Sequence, residues 1–574
     1  MEAALDLGNL LGEAFARHGA GDLDGAMALY RRVLSADPRD AQAHKGLGVA
    51  LCQSGSVGRG ARMLRRACEL DPDDAESWAN LANACLASRD LGGCRDAAAR
   101  ALLLNPDDPV AHNNMAVALR GLHDLDGSFR HARRAVELAS EYAQAHVNLG
   151  AAHQSIGAAA EARACFAEAM RLDPAESQKS EAYLFSLHYD ESVAPEMVLQ
   201  AHRDWGAARP APPRPPMRQE PATFGFVSGD FRQHPVGRFV LPFLEVFARE
   251  HRVVLYANNS KDDSVTEQFR ALPVEWRPVT GLDAAEAADL VRRDGVDVLF
   301  DLSGHTAGNR LDVFAQQPAP MQVTWLGYSA TTGLPAMDWF LGDRMVFSDS
   351  AEDYATERLA RLATAFLVDA PREVPADHRV RDKVRIGVTN NPAKLSDSFL
   401  CAVAQVLRRA PGSEVVFKYG SADCEAVKSR IWSALQAHGV DPGRIEVVGA
   451  LPHDAHVDFL SQLDFCLDSF PYNGATTTMD ALQAGTPVLT RFGATYVSRM
   501  TGSLLHHLGM PDWAVESTEQ FVDRAVSLCA NAGELATART QLREKLPHSS
   551  LLDAEKFSQA FHATVMDMWV ATRT

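Results

Sequence analysis

Prolines recur at Pro38, Pro72, Pro106 and Pro174, in steps of 34, 34 and 68 residues, with Ser140 in the skipped phase. A period of this length confines the first third of the chain to a stack of like supersecondary units, because one such unit cannot bury its own apolar face. Small residues keep the same register at Ala26, Gly60, Cys94, Ser128 and Ala162, and alanines at Ala67, Ala101, Ala135 and Ala169. Leu47, Leu81, Met115 and Leu149 repeat as well, each followed by a small neighbour, Gly48, Ala82, Ala116 or Gly150. Small side chains at fixed points let paired helices approach closely.

The pattern resembles the tetratricopeptide repeat, a helical hairpin of the same length with a proline closing its second helix. About five units fit between Leu7 and Glu176, and the resemblance implies an α-helical superhelix with a long concave face for a partner protein. Asn80, Asn114 and Asn148 share one slot of three successive units, on the first helix of each hairpin. An amide both donates and accepts, so a ladder of them can grip extended polypeptide without demanding a sequence. Solvated or turn-capping asparagines are the plainer alternative.

Composition narrows the partners. The 574 residues carry a formal net charge of -18, which repels nucleic-acid phosphates and anionic lipid in the absence of a basic stripe. The nine cysteines are scattered and include no Cys-x-x-Cys pair, as small buried residues of a reducing compartment would be. Met1 to Asp6 is acidic where a signal peptide needs a basic start, and no stretch of about 20 apolar residues spans a bilayer. A cytoplasmic protein without nucleic-acid or membrane partners is expected.

Arg209 to Pro216 is proline-rich and cannot be helix or sheet interior; it follows an amphipathic stretch, Ser180 to Asp190, that caps the repeats. Beyond it short apolar runs alternate with helical segments, as in parallel βαβ units. Strands are expected at Thr223–Val227, Val253–Ala257, Val296–Leu302 and Gln322–Leu326, then at Arg385–Thr389, Glu414–Lys418, Ile445–Val448, Phe465–Leu467 and Pro487–Leu489. The expected domains are repeats over 1–176, capping helices and linker over 177–221, and two Rossmann-like lobes over 222–380 and 381–574. Ligands bind outside the carboxyl ends of such strands, so the site belongs in the cleft between the lobes.

The unusual residues fall in those strand-end loops. His234 precedes a helix starting near Val236, where an imidazole facing the cleft can take a proton from a hydroxyl; a helix-capping histidine is the plainer alternative. Two glycine-punctuated loops, one with His305 and Thr306 and one with Leu326 and Gly327, suit close approach of a ligand. Asn391 and Lys394 follow the first strand of the second lobe, and the ammonium there can neutralise a leaving diphosphate. Gly474 and Ala475 lead into a helix whose first turn is threonine, Thr476 and Thr477 included. Its free amides, dipole and hydroxyls suit a diphosphate, and Asp480 one turn on suits a ribose. Leu451, His453 and His456 end another strand, and His456 can lie flat on a pyrimidine. No Asp-x-Asp occurs from residue 222 onward, which favours a metal-free site; no cofactor is expected.

In this order behind the repeats, these segments resemble the protein O-GlcNAc transferase family in its bacterial form, with the plant O-fucosyltransferases of the Spindly type as close relatives. The resemblance spans nearly the whole chain. It implies two Rossmann-like lobes of GT-B type and metal-free, inverting transfer of N-acetylglucosamine from UDP-GlcNAc to serine or threonine of proteins. It implies His234 as base, Lys394 at the diphosphate, His456 on the nucleobase, and Thr476, Thr477 and Asp480 at phosphate and ribose. His453 stands where the animal enzymes have a lysine and Ala475 where they have a histidine, and the long domain those enzymes insert between the lobes is absent. The runs Ser303 to Asn309 and Val323 to Gly333 are at least as similar to the Spindly type, whose donor is GDP-fucose. A repeat scaffold with inactive lobes is the remaining alternative.

Overall fold

The computed structural model of the chain describes residues 6–174, 177–373, 383–421 and 424–573, apart from the side chains of 177–179, 453 and 454. The chain divides into two compact units, Met1–Lys179 and Ser180–Thr574.

Among the described residues the first unit holds ten α-helices, from Leu7–Gly19 to Ala159–Leu172, paired in chain order as five hairpins, with the next helix, Ser177–Ser186, starting at its end. The period extends to the helix starts. Asp6, Asp40, Asp74 and Asp108 cap the first helices of four hairpins, each carboxylate accepting a backbone N–H of the first turn. Asp22, Asp90 and Asp124 do the same for second helices. Each such cap stabilises its helix by about 1 kcal/mol, so part of the chain's acidic excess serves helix starts. The small-residue register sets the crossings: a Cβ on Gly60 would lie 2.3 Å from Cys52 Sγ and 2.6 Å from the Gly48 carbonyl oxygen of the facing helix.

The asparagine slot differs from expectation. Asn114 and Asn148 are buried; Asn114 Nδ2 donates to Asn83 Oδ1 at 2.8 Å, and Asn148 Nδ2 to Asn113 Oδ1 at 2.7 Å. Asn80 is half-buried. Two of the three rungs therefore carry hydrogen bonds between repeats, as burial of an amide requires.

The second unit holds two parallel sheets. The first has seven strands: β1 (Thr223–Ser228), β2 (Arg252–Ala257), β3 (Glu275–Pro278), β4 (Val298–Asp301), β5 (Met321–Trp325), β6 (Trp339–Asp343) and β7 (Arg358–Leu362), in the order β3-β2-β1-β4-β5-β6-β7. The second has six: β8 (Val384–Val388), β9 (Ser413–Lys418), β10 (Ile445–Val448), β11 (Phe465–Leu467), β12 (Val488–Arg491) and β13 (Ala514–Val515), in the order β10-β9-β8-β11-β12-β13. Each order reverses beside its first strand, between β1 and β4 and between β8 and β11. These are the switch points where doubly wound sheets open a crevice.

Alternation along β1 separates two cores. Phe224 and Phe226 pack with Phe243 of the helix Pro235–Phe247 and with Phe561, whereas Val227 turns to the layer of Val254, Leu299 and Trp205. Phe561 belongs to the last helix, Ala554–Arg573, which also packs Phe557, Val565 and Trp569 into this core. The C-terminal helix, counted with the second lobe in sequence, thus closes the first. On the opposite face Leu184, Leu187 and Trp205 join the same sheet, so the capping segment beyond residue 180 is part of the first lobe's core. Among the described residues no helix is long and apolar enough to cross a membrane.

Candidate functional site

β1 runs into a turn that places His234 as N-cap of the helix Pro235–Phe247, its extended backbone at φ -153°. Nδ1 lies 3.3 Å from the Val236 N–H and 3.3 Å from Asp230 Oδ2. One nitrogen cannot serve both: as acceptor it caps the helix, whereas as N–H donor to Asp230 it leaves Nε2 free as a base. Asp230 is itself fixed, its N–H on Ser228 Oγ and its Oδ1 held by Arg232. Burial lowers the His234 pKa below its ordinary value, partly opposed by Asp230, so the ring is neutral at pH 7, as a proton acceptor must be.

Lys394 ends a 3-10 turn, Pro392–Lys394, that Asn391 caps by accepting the Ala393 N–H at 3.0 Å. Its ammonium donates to the Asn473 carbonyl at 2.7 Å and sits 4.0 Å above the Tyr472 ring. Burial pushes its pKa down to about 8, against the pull of Asp468. An arriving diphosphate would raise it again.

Across the switch point, Asp468 at the end of β11 accepts from the Gly474 N–H at 2.8 Å, from Asn390 Nδ2 at 2.9 Å and from Thr490 Oγ1 at 2.8 Å. These bonds fix the loop from which the helix Thr476–Gln483 springs. Gly474 is required there, since a Cβ would meet Thr477 Oγ1 at 2.7 Å and Thr478 Oγ1 at 2.8 Å. The N-cap is Ala475, whose side chain has nothing to offer the helix, and Ala475, Thr476 and Thr477 are half-buried. The first-turn amides thus lack the aspartate cap that seven of the described repeat helices have, beside a lysine, as an anion site requires.

Asp480 is the most heavily paired carboxylate of the cleft. Its Oδ1 accepts from Arg238 Nη1 at 2.7 Å and Arg372 Nη1 at 3.1 Å, and Oδ2 faces His456 Nε2 at 3.8 Å. Although burial alone would raise it, His456, Arg238 and Arg372 bring the Asp480 pKa down to about 2. Arg238 also holds Asp369, and Gln483 Nε2 reaches the same carboxylate at 2.7 Å. A cavity of about 310 Å³ opens here, walled by Arg372, Val457, Asp458, Asp480 and Gln483. Leu451 is half-buried just before the helix His453–Ser461 that carries His456. The side chain of His453 lies outside the described ones.

The first-lobe loops depart from expectation in part. His305, expected to face a ligand, is 3% exposed and donates from Nε2 to the Thr332 carbonyl at 2.7 Å. Trp205 and His202 of the capping segment pack against its ring, and burial holds its pKa well below the ordinary value. Thr306 is half-buried, with its hydroxyl on the Ser303 carbonyl at 2.7 Å. Leu326 and Gly327 are half-buried at the tip of β5. Leu326 has φ 74°, the left-handed region that costs a branched residue about 1–3 kcal/mol. A Cβ on Gly327 would lie 1.9 Å from the Leu302 carbonyl oxygen, so the loops after β4 and β5 touch through their backbones.

A family model described as glycosyl transferase family 41 matches residues 214–407 and 387–561, more than half of the chain. The chain belongs to glycosyl transferase family 41. Tetratricopeptide repeat models match residues 11–75 and 143–176 of this family 41 chain. It is 31% identical over 419 residues to the tomato (Solanum lycopersicum) probable UDP-N-acetylglucosamine--peptide N-acetylglucosaminyltransferase SPINDLY, an alignment covering 70% of this chain and 45% of the relative. The Arabidopsis thaliana protein SEC, given the same enzyme name, is 26% identical over 60% of this chain and 37% of its own length. The family 41 chain thus spans less than half the length of these curated relatives. Among solved structures, a mutant of the Thermobaculum terrenum O-GlcNAc transferase superposes with a TM-score of 0.83 at 30% identity, covering 87% of this chain and 98% of that one.

Several residues of the candidate site carried no clear signal in the sequence. Arg238 lies four residues after His234, on the same helix face, and that spacing was the available signal. Asp369 lies in the segment between the lobes and has no local motif. Tyr328 binds two buried histidines of the capping segment: His202 Nδ1 donates to the Val198 carbonyl, so its Nε2 accepts the Tyr328 hydroxyl at 2.8 Å, and His188 Nε2–H donates to that hydroxyl at 2.8 Å. Burial brings the pKa of His188 down to about 3 and that of His202 to about 4, so both are neutral supports of the loop after β5.

Proposed function

We propose that this family 41 chain transfers N-acetylglucosamine from UDP-GlcNAc to serine and threonine hydroxyls of proteins in the cytoplasm, with inversion and without a metal, and that its repeats hold the protein substrate. The observation that carries this is the pairing, at one switch point, of Lys394 with the Ala475-capped start of the helix Thr476–Gln483. An acceptor hydroxyl attacks the anomeric carbon as the bond to the diphosphate oxygen breaks. Its proton passes to His234 Nε2 while Asp230 receives the Nδ1–H. The negative charge that grows on the departing phosphate meets the Lys394 ammonium and the first-turn amides. Donors aimed at developing charge favour the transition state over the ground state.

The chemistry of the nearby carboxylates supports metal independence: Asp468 is engaged by three donors and Asp480 by two arginines, so the diphosphate position is served by cations and amides. Dialysis against a chelator that leaves donor turnover unchanged agrees with this, and loss of turnover restored by a divalent ion opposes it. Transfer of fucose from GDP-fucose is the second reading, favoured by the Spindly-like runs Ser303 to Asn309 and Val323 to Gly333. An inactive scaffold is the third, and slow donor hydrolysis without acceptor excludes it.

A further inference from the structure

β9, neighbour to β8 in the second sheet, ends at Lys418. Lys418 is 9% exposed, and among the described residues its ammonium makes no hydrogen bond and no ion pair. Burial lowers its pKa, opposed by the nearby charge of Asp480. An ammonium that has lost part of its hydration and has no protein acceptor is open to an acceptor from a ligand.

Its place in the topology supplies the purpose. In a sheet of order 3-2-1-4-5-6, β9 is the second strand, and its tip lies beside the crevice that the loops after the first and fourth strands enclose. In nucleotide-binding sheets of that order, an acid in this region holds ribose hydroxyls or a cation holds a phosphate. The following residue, Tyr419, accepts from Asn391 Nδ2 at 3.4 Å, which ties the β9 tip to the turn that carries Lys394. Lys418 thus adjoins, through Tyr419, the turn that carries Lys394, and its ammonium feels the charge of Asp480.

We propose that Lys418 is a further donor-binding residue, its ammonium donating to an oxygen of the nucleoside diphosphate, either a nucleobase carbonyl or a phosphate oxygen. This rests on the crevice between β8 and β11 being the nucleotide site.

Calorimetric titration of the full chain with UDP, UMP and uridine, and with the guanine series, tests it in the wild type and in Lys418→Met, Lys418→Gln and Lys394→Met. A charge-assisted hydrogen bond predicts about tenfold or greater loss of nucleoside diphosphate affinity in both Lys418 variants. Because no hydrogen bond or ion pair of the folded chain is removed among the described residues, Lys418→Met should melt within a few degrees of wild type. Loss that persists with the nucleoside assigns the base carbonyl, and loss confined to the phosphorylated ligands assigns the phosphate; either supports the proposal. Affinity within twofold of wild type in the Lys418 variants, alongside weakened binding by Lys394→Met, overturns the Lys418 role alone. A lower melting temperature with unchanged affinity also overturns it, in favour of a structural lysine. Normal binding by Lys394→Met as well, or no binding by the wild type, removes the nucleotide site and the proposal with it.

Discussion

Arg238, one turn into the helix that His234 caps, donates through Nη1 to Oδ1 of Asp480 at 2.7 Å. The helix holding the candidate base and the helix proposed to receive the diphosphate are therefore joined by one ion pair across the two lobes. Oδ2 of Asp480 is left toward His456 and the cavity, so a ribose hydroxyl can bind without displacing the arginine.

Breaking that pair should cost more than a surface ion pair would. Arg238→Met leaves Asp369, 1% exposed, and Asp480 without their main partner, and loss of one member of a buried pair destabilises by about 3–5 kcal/mol. Urea unfolding measures this, and Arg238→Lys should recover part of it. The depressed pKa of Asp480 gives the pH sign: its contribution is present above the unfolded carboxyl value of about 4 and is lost as pH falls toward about 2.

The two roles of His234 can be separated. Asparagine is a good N-cap but no base at neutral pH, so His234→Asn should keep the melting temperature within a few degrees while turnover falls by about 10² to 10⁴. Asp230→Asn should lower turnover as well, with donor affinity unchanged, because it disturbs the imidazole and leaves the nucleotide contacts intact. Equal turnover in both variants and wild type would reduce His234 to a cap.

The pH dependence of kcat/KM should show two limbs. The acid limb lies below the ordinary histidine value of about 6.5, since burial lowers His234 and the protonated ring cannot accept. The basic limb lies at about 8, where Lys394 loses its proton and with it the charge that receives the diphosphate. In Lys394→Met the basic limb should vanish and turnover fall about a hundredfold or more.

The asparagine slot yields a stability prediction in place of a simple binding one. Asn148→Ala leaves the buried Asn113 side-chain oxygen without its donor, which should destabilise the repeats by about 1–3 kcal/mol, read by thermal unfolding. An effect on substrate capture alone would contradict the inter-repeat role.

What could be read in the sequence was what repeats or what ends a strand. The helical hairpins announced themselves because every unit needs small residues at the same crossing, and the strands flanking each switch point because they are continuous apolar runs buried on both faces. β3, Glu-Trp-Arg-Pro, and β7, Arg-Leu-Ala-Arg-Leu, were missed because edge strands alternate with charge, and β13 because it is two residues long. β6, Trp-Phe-Leu-Gly-Asp, is a buried interior strand that was missed as well, its apolar run being only three residues long before Gly342 and Asp343. Lys394 and the threonine helix were visible because their chemistry sits in contiguous segments. The Arg238, Asp369 and Asp480 cluster was not, since its members are 131 and 242 residues apart and only the docked lobes bring them together. His305 misled for the opposite reason: a glycine-flanked histidine at a strand end looks open until the capping segment covers it.

The most direct test of the account is a titration of the full chain with UDP and GDP, followed by mass spectrometry of a lysate incubated with the protein and either UDP-GlcNAc or GDP-fucose. UDP binding that Lys394→Met weakens, and N-acetylhexosamine added to serine or threonine of lysate proteins, are the expected results. GDP binding with a deoxyhexose adduct would contradict the donor assignment, and binding of neither nucleotide with no adduct would contradict the enzyme.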